Sequence, residues 1–172
     1  MKRKNVIKSI IAIALCMVIA LTGLDARTVS AAENKCPVKV TFNGKTVTLV
    51  KDQNDWESTP TLKTLKSKWG KPKTKTDDSG VKYYTWKKGK TTIQIMDFMA
   101  NENGIGFTEI QIKDKNGAIW GVKVGMKRAA AIKKIEKATG EKIPNDVDHI
   151  FAGGVNFMIK NGKVSEISYA RM

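Results

Sequence analysis

The chain has 172 residues, of which 31 are lysine or arginine and 16 aspartate or glutamate, a formal net charge of +15. One histidine and two cysteines leave little material for histidine-dependent catalysis, metal binding or a disulfide framework. The basic surplus favours anionic partners and long-range attraction to them, against the plainer reading of lysines spread over solvated faces.

Residues 1–31 have the pattern of a secretory signal. Lys2, Arg3, Lys4 and Lys8 precede an apolar stretch from Ile10 to Leu21, too short for a span of roughly 20 apolar residues. Small residues then offer cleavage after Ala31 or Ala32, so the expected localisation is secreted or associated with the cell envelope; an uncleaved anchor is the alternative. Cys16 lies inside the apolar stretch behind Leu15, a poor context for lipidation. Cleavage after Ala31 leaves 26 basic and 15 acidic residues and a single cysteine, Cys36, which has no partner for an internal disulfide.

Residues 32–58 read as a leader and an N-terminal β-hairpin. Val38, Val40 and Phe42 alternate up to Asn43-Gly44, and Val47 and Leu49 alternate on the return. Asn-Gly between alternating runs is a strong hairpin signal. Residues 59–115 then form a first repeat. Thr59-Pro60 reads as an N-cap followed by proline at the first helical position. Leu62, Leu65 and Trp69 make one helical stripe, and Gly70 and Pro72 stop it. A polar loop from Lys73 to Gly80 leads into strands over Val81–Trp86, Thr91–Phe98 and Phe107–Ile112, with turns at Lys88-Gly89 and Asn101–Gly106.

Residues 116–172 read as the second repeat. A short strand carries Trp120, and a helix over Lys127–Thr139 follows Gly125-Met126 and ends on Gly140, with Pro144 beyond. Strands follow over Asp148–Ala152, Val155–Ile159 and Val164–Tyr169, turning at Gly153-Gly154 and Asn161-Gly162. Thr108-Glu109-Ile110 and Ser165-Glu166-Ile167 match in the last strand of each unit. The expected fold is α+β: two tandem helix-plus-three-strand repeats forming one antiparallel sheet with both helices on one face, preceded by the hairpin.

Gly125-Met126 before the second helix, the Gly70/Pro72 and Gly140/Pro144 stops, and Asn161-Gly162-Lys163-Val164 before the last strand carry a resemblance. The chain resembles the superfamily of β-lactamase-inhibitory proteins and the small outer-membrane assembly (BamE-like) lipoproteins, which implies a tandem scaffold. It departs from both. The repeats have no cysteine pair, the loop Lys87-Lys88-Gly89-Lys90 is cationic where an inhibitor would offer an aspartate, and no cysteine stands in a lipidation context. No functional residue of either family is carried over.

Catalytic groups are scarce. Cys36 lies in the leader, no serine has a nucleophile-elbow context, and His149 alone would have to serve any triad. Asn145, Asp146, Asp148 and His149 fall short of an EF-hand or zinc pattern, and Gly104, Gly106, Gly153 and Gly154 lack the context of a phosphate loop. The expectation is a non-enzymatic binding module without cofactor or metal. An exported chain meets envelope polymers before nucleic acid, so no nucleic-acid partner is expected.

Strand alternation offers a binding face. If Ile93, Ile95, Ile110, Ile112, Val155 and Phe157 point to the core, the opposite face carries Met96, Phe98, Phe107 and Met158, with Gln94, Glu109, Gln111, Asn156 and Glu166. Tyr84 and Trp86 share one face of the neighbouring strand and are counted with this set. A protein partner recognised by Tyr84, Trp86, Met96, Phe98, Phe107 and Met158 is the first reading. It requires that neither the hairpin nor the Trp120 segment covers the face. The second reading is a cationic ligand of anionic cell-wall polymers or phospholipid headgroups, carried by Lys63, Lys66, Lys68, Lys71, Lys73 and Lys75.

Overall fold

The computed structural model describes residues 36–51, 59–97 and 108–171, all within one compact unit. The signal and cleavage readings, the turn at Asn101–Gly106, and Phe98 and Phe107 lie outside the described residues. Among those described, 48% are strand and 17% helix, so the molecule is mainly β.

The hairpin forms as its alternation predicts, with β1 (Val38–Phe42) and β2 (Lys45–Val50) joined at Asn43 and Gly44. Both turn residues have positive φ, 50° and 78°, the geometry that matches the right-handed twist of the flanking strands. Helix α1 (Leu62–Trp69) buries Leu65 and Trp69 and half-buries Leu62. Its N-cap is Thr61 rather than Thr59: the Thr61 hydroxyl accepts from the Thr64 amide at 3.2 Å, and Pro60 stays outside the helix. Gly70 ends it at φ 88°.

Next come β3 (Lys73–Thr76), β4 (Lys82–Lys88), β5 (Thr91–Asp97), β6 (Thr108–Ile112) and β7 (Gly117–Ile119). Helix α2 (Arg128–Thr139) buries Ala131, Ile132 and Ile135 and stops at left-handed Gly140. The chain finishes with β8 (His149–Ala152), β9 (Val155–Lys160) and β10 (Lys163–Arg171). Lys73–Gly80 is therefore not all loop. β3 is exposed on both faces and has no apolar alternation, so nothing local marks it; it exists through its ladder to β4.

The strands form two antiparallel sheets, one ordered β2-β1-β7 and the other β3-β4-β5-β6-β10-β9-β8. This overturns the expected architecture of two helix-plus-three-strand repeats in one sheet with both helices on one face. The first meander has four strands and the second three, and they join where β6 pairs with β10. The two last strands that match in sequence are thus neighbours, with Tyr169 opposite Ile110 and Ile167 opposite Ile112. The hairpin does not precede the fold as an appendage. It takes in β7 and contributes Val38, Val40, Phe42, Val47, Leu49 and Ile119 to the one core.

That core is closed by aromatic residues. Trp69 makes edge contacts with Phe42 of β1 and Trp86 of β4, at ring separations of 6.1 and 5.7 Å. Trp120 lies tilted against Phe157 at 5.9 Å and donates its indole N–H to the Pro37 carbonyl at 2.9 Å. The hairpin and the Trp120 segment both pack on the side of the large sheet that carries Trp86, Ile93, Ile110 and Phe157.

Candidate functional site

Register decides which candidate residues share a surface. Trp86 stands opposite Ile93 and Tyr84 opposite Ile95, so both point to the buried face. Trp86 is 3% exposed and donates its indole N–H to the Gly70 carbonyl at 2.8 Å; Tyr84 is half-buried. Their place in the proposed recognition face is corrected accordingly. Counting parity along β4 alone leaves either face open, and only the pairing with β5 chooses one.

Met96 and Met158 do point away from the core, as alternation predicts. Met96 is half-buried opposite Tyr83, and Met158 is exposed opposite Glu166 and His149. They are not neighbours. Two strands, β6 and β10, separate β5 from β9, about 14 Å across the sheet at the usual strand spacing, and the register offsets the two methionines along the strands as well. The apolar exposure on this face gathers instead at the β8 edge, where Phe151 is 66% and Met158 43% exposed. Phe151 was missed by the sequence reading. It lies on a four-residue strand whose outward positions alternation assigns only once β9 is beside it.

The lysine set is brought together more fully. Lys63, Lys66 and Lys68 lie on exposed positions of α1, and Lys71, Lys73 and Lys75 are exposed on the segment that runs from it into edge strand β3. Residues 59–97 hold ten lysines and three aspartates. Among the described residues the ion pairs are Lys113–Glu166 and Arg128–Asp148, so none of the six is neutralised by a carboxylate. Lys66 sits 5.3 Å above the ring of Tyr84, a cation–π contact that holds its stem against the sheet. Asp77, the acid nearest in sequence, is turned to structural work. Its carboxylate accepts from Ser79, Val81 and the Tyr83 hydroxyl, and these bonds, led by that from Ser79, hold its pKa below the ordinary value.

No family model, curated protein or solved structure matches this chain. The site must be argued from its own residues.

Cys36, His149 and Asp148 have structural partners. Cys36 is buried; burial and, after it, the nearby Glu141 carboxylate raise its thiol pKa, and its Sγ donates to the Ala138 carbonyl at 3.3 Å. His149 is exposed on the outer face, with Nε2 3.0 Å from Asn156 Oδ1. Asp148 pairs with Arg128, whose guanidinium also donates to the Asn145 carbonyl. Among the described residues no cluster of three or more histidine, cysteine, aspartate or glutamate side chains is placed to hold a metal ion. No helix among them is long and apolar enough to cross a membrane.

Proposed function

We propose that this chain is an exported, non-enzymatic binding protein that holds anionic polymers or phospholipid headgroups of the cell envelope through the lysines of α1 and of the segment that runs from it through β3. The observation that carries the reading is six exposed lysines, without an ion pair among the described residues, on α1 and the segment that runs from it through β3. Grouped charges at an exposed surface attract polyanions over about 8–10 Å at physiological ionic strength. All six are lysine rather than arginine, so each acts as a point charge and not as a planar, bidentate fork.

The experiment is co-sedimentation of the signal-free protein with isolated cell walls and with anionic vesicles at rising salt. Binding should fall steeply with ionic strength and should be weakened by the combined Lys63, Lys66, Lys68, Lys71, Lys73 and Lys75→Gln variant. Binding that persists in that variant, or that ignores salt, refutes the reading.

A second reading, recognition of a protein partner by the helix-free face, is favoured by one observation: Phe151 and Met158 stand exposed on adjacent strands. Such an interface would keep its affinity in salt and lose it in a Phe151→Ser, Met158→Ser double variant.

A further inference from the structure

The three lysines nearest the sheet edge occur at alternate positions, in the run Lys71-Pro72-Lys73-Thr74-Lys75-Thr76. Within β3, Lys73 pairs opposite Thr85 and Lys75 opposite Tyr83, so both project from the helix-free face. The residue before a proline favours extended backbone, which carries the same two-residue spacing back to Lys71. Pro72 is buried between Lys71 and Lys73, and Gly70, just before Lys71, is tied by its carbonyl to the Trp86 indole, so this end of the comb is anchored to the core. The result is a row of ammonium groups whose attachment points repeat about every 6.8 Å along an extended chain.

That repeat is two residues, or six backbone bonds. A 1,3-linked glycerol phosphate polymer also repeats every six backbone bonds: two P–O, two C–O and two C–C. Both chains are unbranched and near-extended, so their charge repeats agree in length. A ribitol phosphate polymer linked 1,5 repeats over eight bonds and does not keep step with the comb, whereas an inorganic polyphosphate, repeating over two, meets it only at every third phosphate. Resting on the polyanion reading above, we infer that Lys71, Lys73 and Lys75 form a register site for a glycerol phosphate polymer lying along β3 on the helix-free face, one phosphate per lysine. The lysines of α1 add attraction without register, since Lys63, Lys66 and Lys68 are set at helical and not two-residue intervals on one face.

Edge lysines also have a plain structural use, keeping strands of other chains from pairing with β3. That use sets no preference among soluble polyanions, so it is separable. The test is titration of the signal-free protein with three polymers of matched phosphate number: 1,3-glycerol phosphate, 1,5-ribitol phosphate and inorganic polyphosphate. Vesicles of phosphatidylglycerol in a neutral lipid form a fourth arm, because they carry the same phosphate and glycerol unlinked.

Glycerol phosphate polymer should bind about tenfold more tightly than the ribitol phosphate polymer, with a log–log salt slope near −2 from the three register contacts, and polyphosphate, in step at every third phosphate, should show no such deficit. The K71Q/K73Q/K75Q variant should lose that preference and most of that slope. The K63Q/K66Q/K68Q variant should weaken all three polymers alike and keep the preference. Far-UV circular dichroism and the melting midpoint should be unchanged in both. Equal binding of the glycerol and ribitol phosphate polymers, or vesicles binding as well as the glycerol phosphate polymer, overturns the register site and leaves general polyanion binding standing. Binding of none overturns both. The comparison is made first on the unaltered sequence, so it holds even if the β3 variant self-associates.

Discussion

Asp114 shows how much one half-buried carboxylate can organise. It accepts from the Lys90 amide at 2.6 Å, the Thr91 hydroxyl at 2.6 Å, and the amide and side chain of Asn116 at 2.9 Å each. These bonds tie the β4–β5 turn to the start of β7, and Gly89 leaves room for them: a Cβ there would lie 2.3 Å from the carboxylate. Partial burial pushes the pKa of Asp114 up, but the bonds from Thr91, Asn116 and Lys90 outweigh it and bring it to about 2. A folded-state value below the unfolded one means stability that is fully present above the unfolded pKa, near 3.9, and is lost as pH falls toward 2. The melting midpoint of the protein should therefore drop between about pH 5 and pH 2, and Asp114→Ala should flatten part of that drop while lowering stability at pH 7. Thermal melts of both proteins across that range check it.

Trp86 is the candidate that most changes meaning at this scale. An aromatic on a strand between lysines reads equally as a surface anchor or a core residue. Its pairing opposite Ile93, its contact with Trp69 and its hydrogen bond to Gly70 make it the latter. Trp86→Ala should cost about 3–5 kcal/mol of folding free energy, read by denaturant titration, rather than remove a binding contact from a protein that still folds normally.

At the scale of elements, signals that live in neighbouring residues were legible. The Asn43-Gly44 and Asn161-Gly162 hairpins, the Leu62/Leu65/Trp69 stripe and the glycine stops of both helices all form as the sequence predicts. Thr61 as the N-cap of α1 was not, because Thr59 and Thr61 are equally able to accept the bond and only the path of the chain selects one. Thr61→Ala should lower stability by about 1 kcal/mol while Thr59→Ala leaves the α1 cap intact, a difference measurable by thermal melts. The turn after β8 is more demanding. Gly153 has φ 51°, and a Cβ would lie 2.9 Å from the Trp120 ring and 3.2 Å from both Cys36 Sγ and Thr139 Cγ2. Gly153→Ala should cost about 1–3 kcal/mol through backbone strain and overpacking together, and a Trp120 fluorescence shift should accompany the loss.

At the scale of the whole molecule, the charge distribution and the sheet order meet at one edge. β3 and β8 are the two ends of the seven-stranded sheet, and they differ in kind. β3 presents lysines on the helix-free face, while β8 presents Phe151 and His149 there. Salt separates the two ends. If the lysine edge dominates, affinity for envelope material should fall by about tenfold or more between 50 and 200 mM salt, following the number of phosphates engaged. If the Phe151 end dominates, affinity should hardly change over that range.

By itself the sequence determined the local vocabulary of this protein: where turns fall, which helix faces are apolar, which strand residues alternate, and how far cations outnumber anions. Each of those is set by a residue and its near neighbours, through φ, side-chain period or charge. Only the tertiary structure decided how the strands are shared between two sheets, that β3 exists at all, and that Tyr84 and Trp86 face inward while Phe151 faces out. The reason is that pairing partners lie far apart in the chain, and a strand's period of two says which residues go together without saying which side is inside. Burial against another element makes that choice, and it is what separates a core tryptophan from a surface row of lysines.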